Sequence, residues 1–361
     1  GKPGRQRALF GKEIRRVAAS VSSYVATEAF AIGILALSVT KKVFVTHQLP
    51  GARIHDLSRY CELNTWMGPG LLGVENLRQE LRGCHGLICL LTDRVDATLL
   101  AAVPDLEFVS SMSVGVDHVD LSALSARNIP LGNTPGVLVD TTADTAFALM
   151  LAAARRVVEA DNFVRQGNWT QKNAWAPDFF TGKDVSGATI GIIGLGQIGQ
   201  AVARRAAGFG MEILAWNRTS REVPGVESVS LEELLQRSDF VSLHVALSDE
   251  TRYLMNAERI ALMKSDAILI NTARGGIVDE EALAVALADG HLAAAGIDVF
   301  ENEPVSPDNA LLSLKNVVVA PHIGSATTLT RGKMADIAVE NAIAALEGRP
   351  MIHCVNPDVY R

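Results

Sequence analysis

Gly187-Ala-Thr-Ile-Gly-Ile-Ile-Gly194-Leu-Gly196-Gln-Ile-Gly199 runs on through Gln200 to Gly210 and into Met211-Glu-Ile-Leu-Ala-Trp-Asn217-Arg218-Thr219. It reads as strand, glycine turn, helix and second strand. The opening run is short and apolar, which suits a strand buried on both faces. Ile198, Val202, Ala206 and Phe209 then recur at helical spacing, Gly208 and Gly210 close the helix, and Ile213 to Trp216 form the next strand. Gly194 permits a tight turn, Gly196 removes a side chain where a pyrophosphate must approach the backbone, and Gly199 lets helix and strand pack closely. The helix N-terminus offers free N–H groups and a positive dipole end to phosphates. A bare GxGxxG is weak evidence. One that follows a strand and opens a helix, within a unit of about thirty residues, predicts dinucleotide binding.

The end of the second strand indicates which dinucleotide. An NAD site usually carries Asp or Glu there, against the ribose 2′-OH. Here Asn217 is followed by Arg218, Thr219, Ser220 and Arg221. On this reading no carboxylate repels a 2′-phosphate, and a guanidinium with two hydroxyls can bind one. The expectation is NADP(H) in preference to a possible NAD(H); the competing reading is that Arg218 is merely solvated.

A chain of 361 residues is long enough for two domains with their own cores. Apolar content of 48% and charged content of 20% describe a soluble globular protein, and a net charge of −7 argues against nucleic acid or an anionic membrane as partner. Cys61, Cys84, Cys89 and Cys354 show no metal-like spacing, so no metal is expected and reduced thiols in a cytoplasmic setting are. Residues 1–40 stand apart: Arg5, Arg7, Arg15 and Arg16 precede a small, apolar stretch interrupted by Glu28. An added extension, a targeting segment and a membrane anchor are all open there, with Glu28 costly at the centre of a span.

From Lys42 onward, short apolar runs alternate with helical stretches, which predicts a small α/β domain. After the run Leu106 to Ser111 comes Ser111-Met-Ser-Val-Gly115-Val-Asp117-His118. Loops at the carboxyl ends of parallel strands bind ligands in such sheets. Gly115 would let backbone N–H groups face a small anion; a plain strand-to-helix turn explains the same residues. Asp140 to Ala160 reads as one long helix joining the domains. Gly167 to Gly182 is irregular and holds Trp169, Trp175, Phe179 and Phe180, which suggests a dimer contact or packing against that helix. Beyond the fingerprint, Ser230 and Asn256 can cap helices. Strands are expected to end near His244, before Asn271-Thr-Ala-Arg274, before Asp298-Val-Phe-Glu-Asn-Glu303 and before Pro321-His322. This alternation implies a doubly wound parallel sheet.

Arg274, Glu303 and His322 thus stand past three strands of the sheet that carries the fingerprint, where a substrate crevice forms. Arg274 can hold a carboxylate by two parallel hydrogen bonds. His322 can give a proton to a carbonyl oxygen, and Glu303 can orient the imidazole and favour its charged form. Each alone has a bland reading as surface Arg, loop Glu or satisfied His; their joint placement does not.

The runs Gly194-Leu-Gly-Gln-Ile-Gly199, Asn271-Thr-Ala-Arg274-Gly, Asp298-Val-Phe-Glu-Asn-Glu303-Pro304 and Pro321-His322-Ile-Gly324 resemble the D-isomer-specific 2-hydroxyacid dehydrogenase family. Leu91-Thr-Asp-Arg-Val-Asp96, Ser111 to Asp117 and Asn133-Thr-Pro-Gly-Val137 look most like its glyoxylate/hydroxypyruvate reductases. The resemblance covers roughly 41–361. It implies catalytic Arg274, Glu303 and His322, a substrate-carboxylate loop at Val114 and Gly115, and cofactor contacts at Gly196, Gln197, Ile198, Asn217, Arg218, Thr219, His244, Thr251, Thr272, Ala273, Asp298 and Gly324. It also implies a Rossmann domain (119–327) inserted into a discontinuous flavodoxin-like substrate domain (41–118 and 328–361), and a homodimer in which Trp169 or Trp175 borders the partner's active site. Ala246, where a proline is usual, is a departure that bears on loop rigidity. The implied activity is NADPH-preferring reduction of a small 2-oxo acid to a 2-hydroxy acid. The alternatives are a D-3-phosphoglycerate dehydrogenase and a non-enzymatic dinucleotide sensor.

Overall fold

The computed structural model describes residues 40–51, 53–219 and 221–361. Expectations about residues 1–39, and about Ser220 in the cofactor loop, lie outside the described residues. The first sheet comprises β1 (Lys42–Val45), β2 (Glu62–Thr65), β3 (Gly86–Cys89), β4 (Phe108–Ser111) and β5 (Leu131–Gly132), all parallel, in the order β2-β1-β3-β4-β5. β3 and β4 are buried along their whole length, as unbroken apolar runs in a sheet covered on both faces should be.

β5 corrects the expected boundary at 118. Leu131 pairs with Val109, and Leu124, Ile129 and Leu131 lie in the first core. A strand of two residues carries too little pattern to be seen in the sequence, so the first sheet takes in more of the chain than anticipated. The chain then leaves and returns as the helix Thr328–Leu346. Met334, Ala335, Ala338, Val339 and Ala342 of that helix are buried with Val43, Val45, Ile88 and Phe108. A fully buried residue of the size of Val or Phe contributes about 1.5–3 kcal/mol, enough to fix the returning helix on this sheet.

The inserted unit holds β6 (Thr189–Ile193), β7 (Glu212–Trp216), β8 (Glu227–Ser228), β9 (Phe240–Leu243), β10 (Ile268–Asn271), β11 (Ala294–Ile297) and β12 (Val317–Val319). Their order is β12-β11-β10-β9-β6-β7-β8, again all parallel. The strand order reverses at β6, which has β7 on one side and β9 on the other; ligands bind at the carboxyl ends beside such a switch point. The register aligns those ends: Ile193 pairs with Leu243, Leu243 with Asn271, Asn271 with Ile297, and Ile297 with Val319. The segments that follow all emerge on one edge.

The helix expected over Asp140 to Ala160 is two helices, Val139–Ala154 and Val157–Arg165. Lys183 N–H takes the carbonyl of Ala154 at 2.8 Å. Arg156 turns left-handed (φ 52°) and clamps Glu159 with two N–H bonds, at 2.9 and 2.6 Å. No Gly or Pro marks this break, so residue type gave no warning of it. Ser230 and Asn256 do cap their helices, accepting from Glu233 N at 3.1 Å and Arg259 N at 3.0 Å. In the aromatic segment, Phe179 and Phe180 pack edge-on against Phe163, whereas Trp169 and Trp175 are exposed. No helix among the described residues is long and apolar enough to cross a membrane.

Candidate active site

The fingerprint glycines differ in their surroundings. Gly194 has φ 99°, and a Cβ there would stand 2.6 Å from the carbonyl oxygen of His244; a Cβ on Gly199 would stand 2.0 Å from Gly194 O. A Cβ on Gly196 would meet nothing within 4 Å. Two glycines are therefore required by packing, while the third leaves open space at the N-terminus of the helix Gln197–Gly208. That combination fits a pyrophosphate.

The other expected cofactor residues are less uniform. Asn217 accepts from Leu195 N at 3.1 Å and donates to Thr219 O at 2.7 Å, bracing the loop. Arg218 is exposed but ion-paired with Glu250. This corrects the expectation that no carboxylate stands there: Glu250 arrives from the loop after β9, out of reach of a local reading. Thr251 spends its hydroxyl in that loop, donating to Ala246 O at 2.7 Å and accepting from Ser248 N at 2.8 Å. His244 is bound through Nε2 to Ser242 Oγ at 2.8 Å, and burial lowers its pKa to about 4, so the ring is neutral. Thr272 has a buried hydroxyl with no partner among the described residues, and Ala273 N–H is held by Asn271 Oδ1 at 3.1 Å.

Arg274 follows that turn. Asn271 is buried in β10 and also donates to Arg274 O at 2.9 Å, so one side chain shapes the strap. The guanidinium meets the loop after β4: a Cβ on Gly115 would stand 2.1 Å from Arg274 Nη2. The carbonyl of Val114 accepts from Asn133 Nδ2 at 3.0 Å, and that of Gly115 from Ser113 Oγ at 2.7 Å. The N–H groups of Val114 and Gly115 find no acceptor among the described residues. Carbonyls turned inward and free N–H groups beside a guanidinium make a cradle for a carboxylate.

His322 Nδ1 and Glu303 Oε2 are 2.6 Å apart. The other carboxylate oxygen accepts from Phe300 N at 2.9 Å. Burial pushes the Glu303 carboxyl up, but the His322 hydrogen bond and charge, the Phe300 N–H and Arg274 outweigh it and hold its pKa below the usual range. His322 itself is left-handed (φ 54°), a conformation uncommon outside Gly that Asn, Asp and His adopt more readily than other residues. Asp298 enforces it. Its main-chain oxygen accepts from His322 N at 2.8 Å, and its carboxylate accepts from Ile323 N at 2.7 Å and Gly324 N at 2.8 Å. Burial raises the Asp298 pKa, and those two N–H groups oppose the rise.

His322 and Glu303 open onto a cleft of about 670 Å³ whose far wall comes from loops of the first unit and includes Thr46, Leu72, Leu90 and Met112. Glu303 and His322 line this cleft, and Arg274 stands near enough on the same sheet edge for its charge to act on the Glu303 carboxyl. Asn133, Asn271 and Asp117 were missed as site residues. All three lie within the family-like motifs; Asn271 acts within its own turn, whereas the contacts of Asn133 and Asp117 are made only after folding. Among the described residues no group of three or more His, Cys, Asp or Glu is placed to hold a metal ion.

A dinucleotide turn at a switch point, with an Arg, Glu and His set on the same sheet edge beside an interdomain cleft, defines an NAD(P)-dependent oxidoreductase. Residues 147–324 match the D-isomer specific 2-hydroxyacid dehydrogenase, NAD binding domain. A glyoxylate reductase of Korarchaeum cryptofilum is 47% identical over 324 residues, covering 89% of this chain and 97% of the relative. A solved Thermus thermophilus structure superposes with a TM-score of 0.81 at 46% identity, over 87% of this chain and 99% of that one. The NADPH-dependent glyoxylate/hydroxypyruvate reductase of Sinorhizobium meliloti, solved with NADP and malonate, gives 0.79 at 33% identity, over 88% and 98%. This chain belongs to the D-isomer specific 2-hydroxyacid dehydrogenase family, and it is an enzyme of that class; the sensor alternative falls away.

Proposed function

We propose that this enzyme reduces glyoxylate and hydroxypyruvate to their 2-hydroxy acids, with NADPH preferred over NADH. The single observation carrying this is the His322–Glu303 pair at 2.6 Å, which occupies Nδ1 and leaves Nε2 without a partner among the described residues. Arg274 and the N–H groups of Val114 and Gly115 hold the substrate carboxylate. Gly194, Gly196, Gln197, Ile198 and Gly199 cradle the cofactor pyrophosphate, and Thr272, Ala273, Asp298 and Gly324 line its nicotinamide end. When bound, the reduced nicotinamide supplies a hydride for the carbonyl carbon. His322 Nε2–H gives its proton to the carbonyl oxygen, and Glu303 stabilises the imidazolium until then. Solvent reprotonates the ring. The similarity to the Korarchaeum glyoxylate reductase and the Sinorhizobium glyoxylate/hydroxypyruvate reductase supports this reading.

For the cofactor, Arg218 exchanges Glu250 for the 2′-phosphate. Both side chains of that pair are exposed, and such pairs contribute little, so the exchange is cheap. Steady-state oxidation of NADPH and NADH with glyoxylate, hydroxypyruvate and phosphohydroxypyruvate tests both parts. Arg218→Ala should weaken NADPH roughly ten- to hundredfold and NADH little, as expected for a lost charge-assisted phosphate contact. Equal losses sink phosphate recognition; turnover confined to phosphohydroxypyruvate moves the substrate to the phosphorylated acid.

The enzyme is also read as a homodimer. Val157, Val158, Val164, Trp169 and Trp175 expose apolar surface on neighbouring segments, and Trp175 is 78% accessible in the single chain. Light scattering should give twice the chain mass, with Trp175→Glu shifted toward monomer. A wild-type monomer at micromolar concentration refutes it.

A further inference from the structure

The loop that offers the Val114 and Gly115 N–H groups continues to Asp117, whose Oδ1 accepts the Nε–H of Arg274 at 2.9 Å. The loop belongs to the first sheet and Arg274 to the second, so the contact bridges the cleft between the two units. Arg274 Nη1 donates to Ala273 O at 2.8 Å. A guanidinium carries five N–H bonds. These contacts take two and leave three unpartnered among the described residues. Nη2 lies against the Cα of Gly115, where a Cβ would stand 2.1 Å from it and 3.0 Å from Asp117 Oδ1. The pair is partly shielded, at 23% side-chain exposure for Arg274 and 34% for Asp117.

A carboxylate beside an anion-binding guanidinium weakens its pull on an anionic substrate, so affinity does not account for Asp117. Orientation does. We infer that Asp117 is a positioning residue for the reaction: by holding the Nε edge it sets the guanidinium plane and turns the free Nη donors toward the Val114–Gly115 cradle. Because its oxygen comes from the opposite unit, Arg274 is aligned only when the two units are together. The inference rests on Arg274 as the anchor of the substrate carboxylate.

Three substitutions separate oxygen position from charge. Asp117→Asn keeps an acceptor in place and removes the charge; kcat should stay within about threefold of wild type and KM for the 2-oxo acid should fall. Asp117→Ala removes the acceptor, and kcat should drop roughly ten- to hundredfold, the scale of a misplaced reacting group. Asp117→Glu keeps the charge but displaces the oxygen by a methylene, and should resemble Asp117→Ala. All should bind NADPH with the wild-type Kd. Wild-type kcat in Asp117→Ala overturns the inference, as does an impaired Asn variant beside a normal Glu variant. Should the Ala variant not fold, the Asn and Glu comparison decides alone. An inactive Arg274→Ala beside normal Asp117 variants sinks only this inference, whereas a fully active Arg274→Ala sinks the anchor reading itself.

Discussion

His322→Ala should lower kcat by about 10²–10⁴-fold, the usual contribution of a positioned general acid, while NADPH binds as before. The ring is held by Glu303 through Nδ1, which leaves Nε2 to face the substrate oxygen. Removing it leaves water as the only proton source. The backbone complicates the choice of variant, because His322 has φ 54° and alanine carries a cost of roughly 1–2 kcal/mol in that region. Asparagine tolerates it better, so His322→Asn provides the companion test. Both variants should lose turnover alike if the proton is what matters. A His322→Asn enzyme with normal kcat would end the proton-donor assignment. Glu303→Gln should lose less, because the carboxamide can still hold Nδ1–H but brings no charge to favour the imidazolium. The depressed pKa of Glu303 keeps that charge in place at neutral pH and loses it only as pH falls through the depressed value.

Much of this site was legible because its signals are local. Gly194 and Gly199 are demanded by contacts within a few residues or with the adjacent strand end, so their spacing survives in the sequence. Arg274, Glu303 and His322 could be brought together on paper because parallel strands put their carboxyl ends on one edge, and the register does so. What was missed is non-local. Asp117 meets Arg274 across 157 positions of chain, and Glu250 meets Arg218 across 32. Neither residue type stands out where it occurs. The break at Arg156 was hidden for a related reason: the carbonyl of Ala154 at the helix end is taken by the N–H of Lys183, from a segment later in the chain. Periodicity reports which face of a helix is apolar; it does not report which backbone groups another segment will claim.

Arg274→Ala is expected to lower kcat/KM by roughly 30- to 5,000-fold, from the loss of about 2–5 kcal/mol when one partner of a partly shielded, hydrogen-bonded charge pair is truncated. Arg274→Lys should recover only part of this. An ammonium on a flexible stem cannot serve Asp117, the Ala273 carbonyl and a substrate carboxylate in one plane, as the guanidinium fork can. The alanine variant suffers twice, because Asp117 is then left unpaired beside the place where the anionic substrate must settle. Removing Asp117 as well should therefore lower KM relative to Arg274→Ala alone, although kcat stays poor. Such coupling is what double-mutant cycles detect between residues in contact. Strictly additive losses, or a KM that rises further in the double variant, would mean that the Asp117 charge does not reach the substrate and that Arg274 acts on the carboxylate by itself.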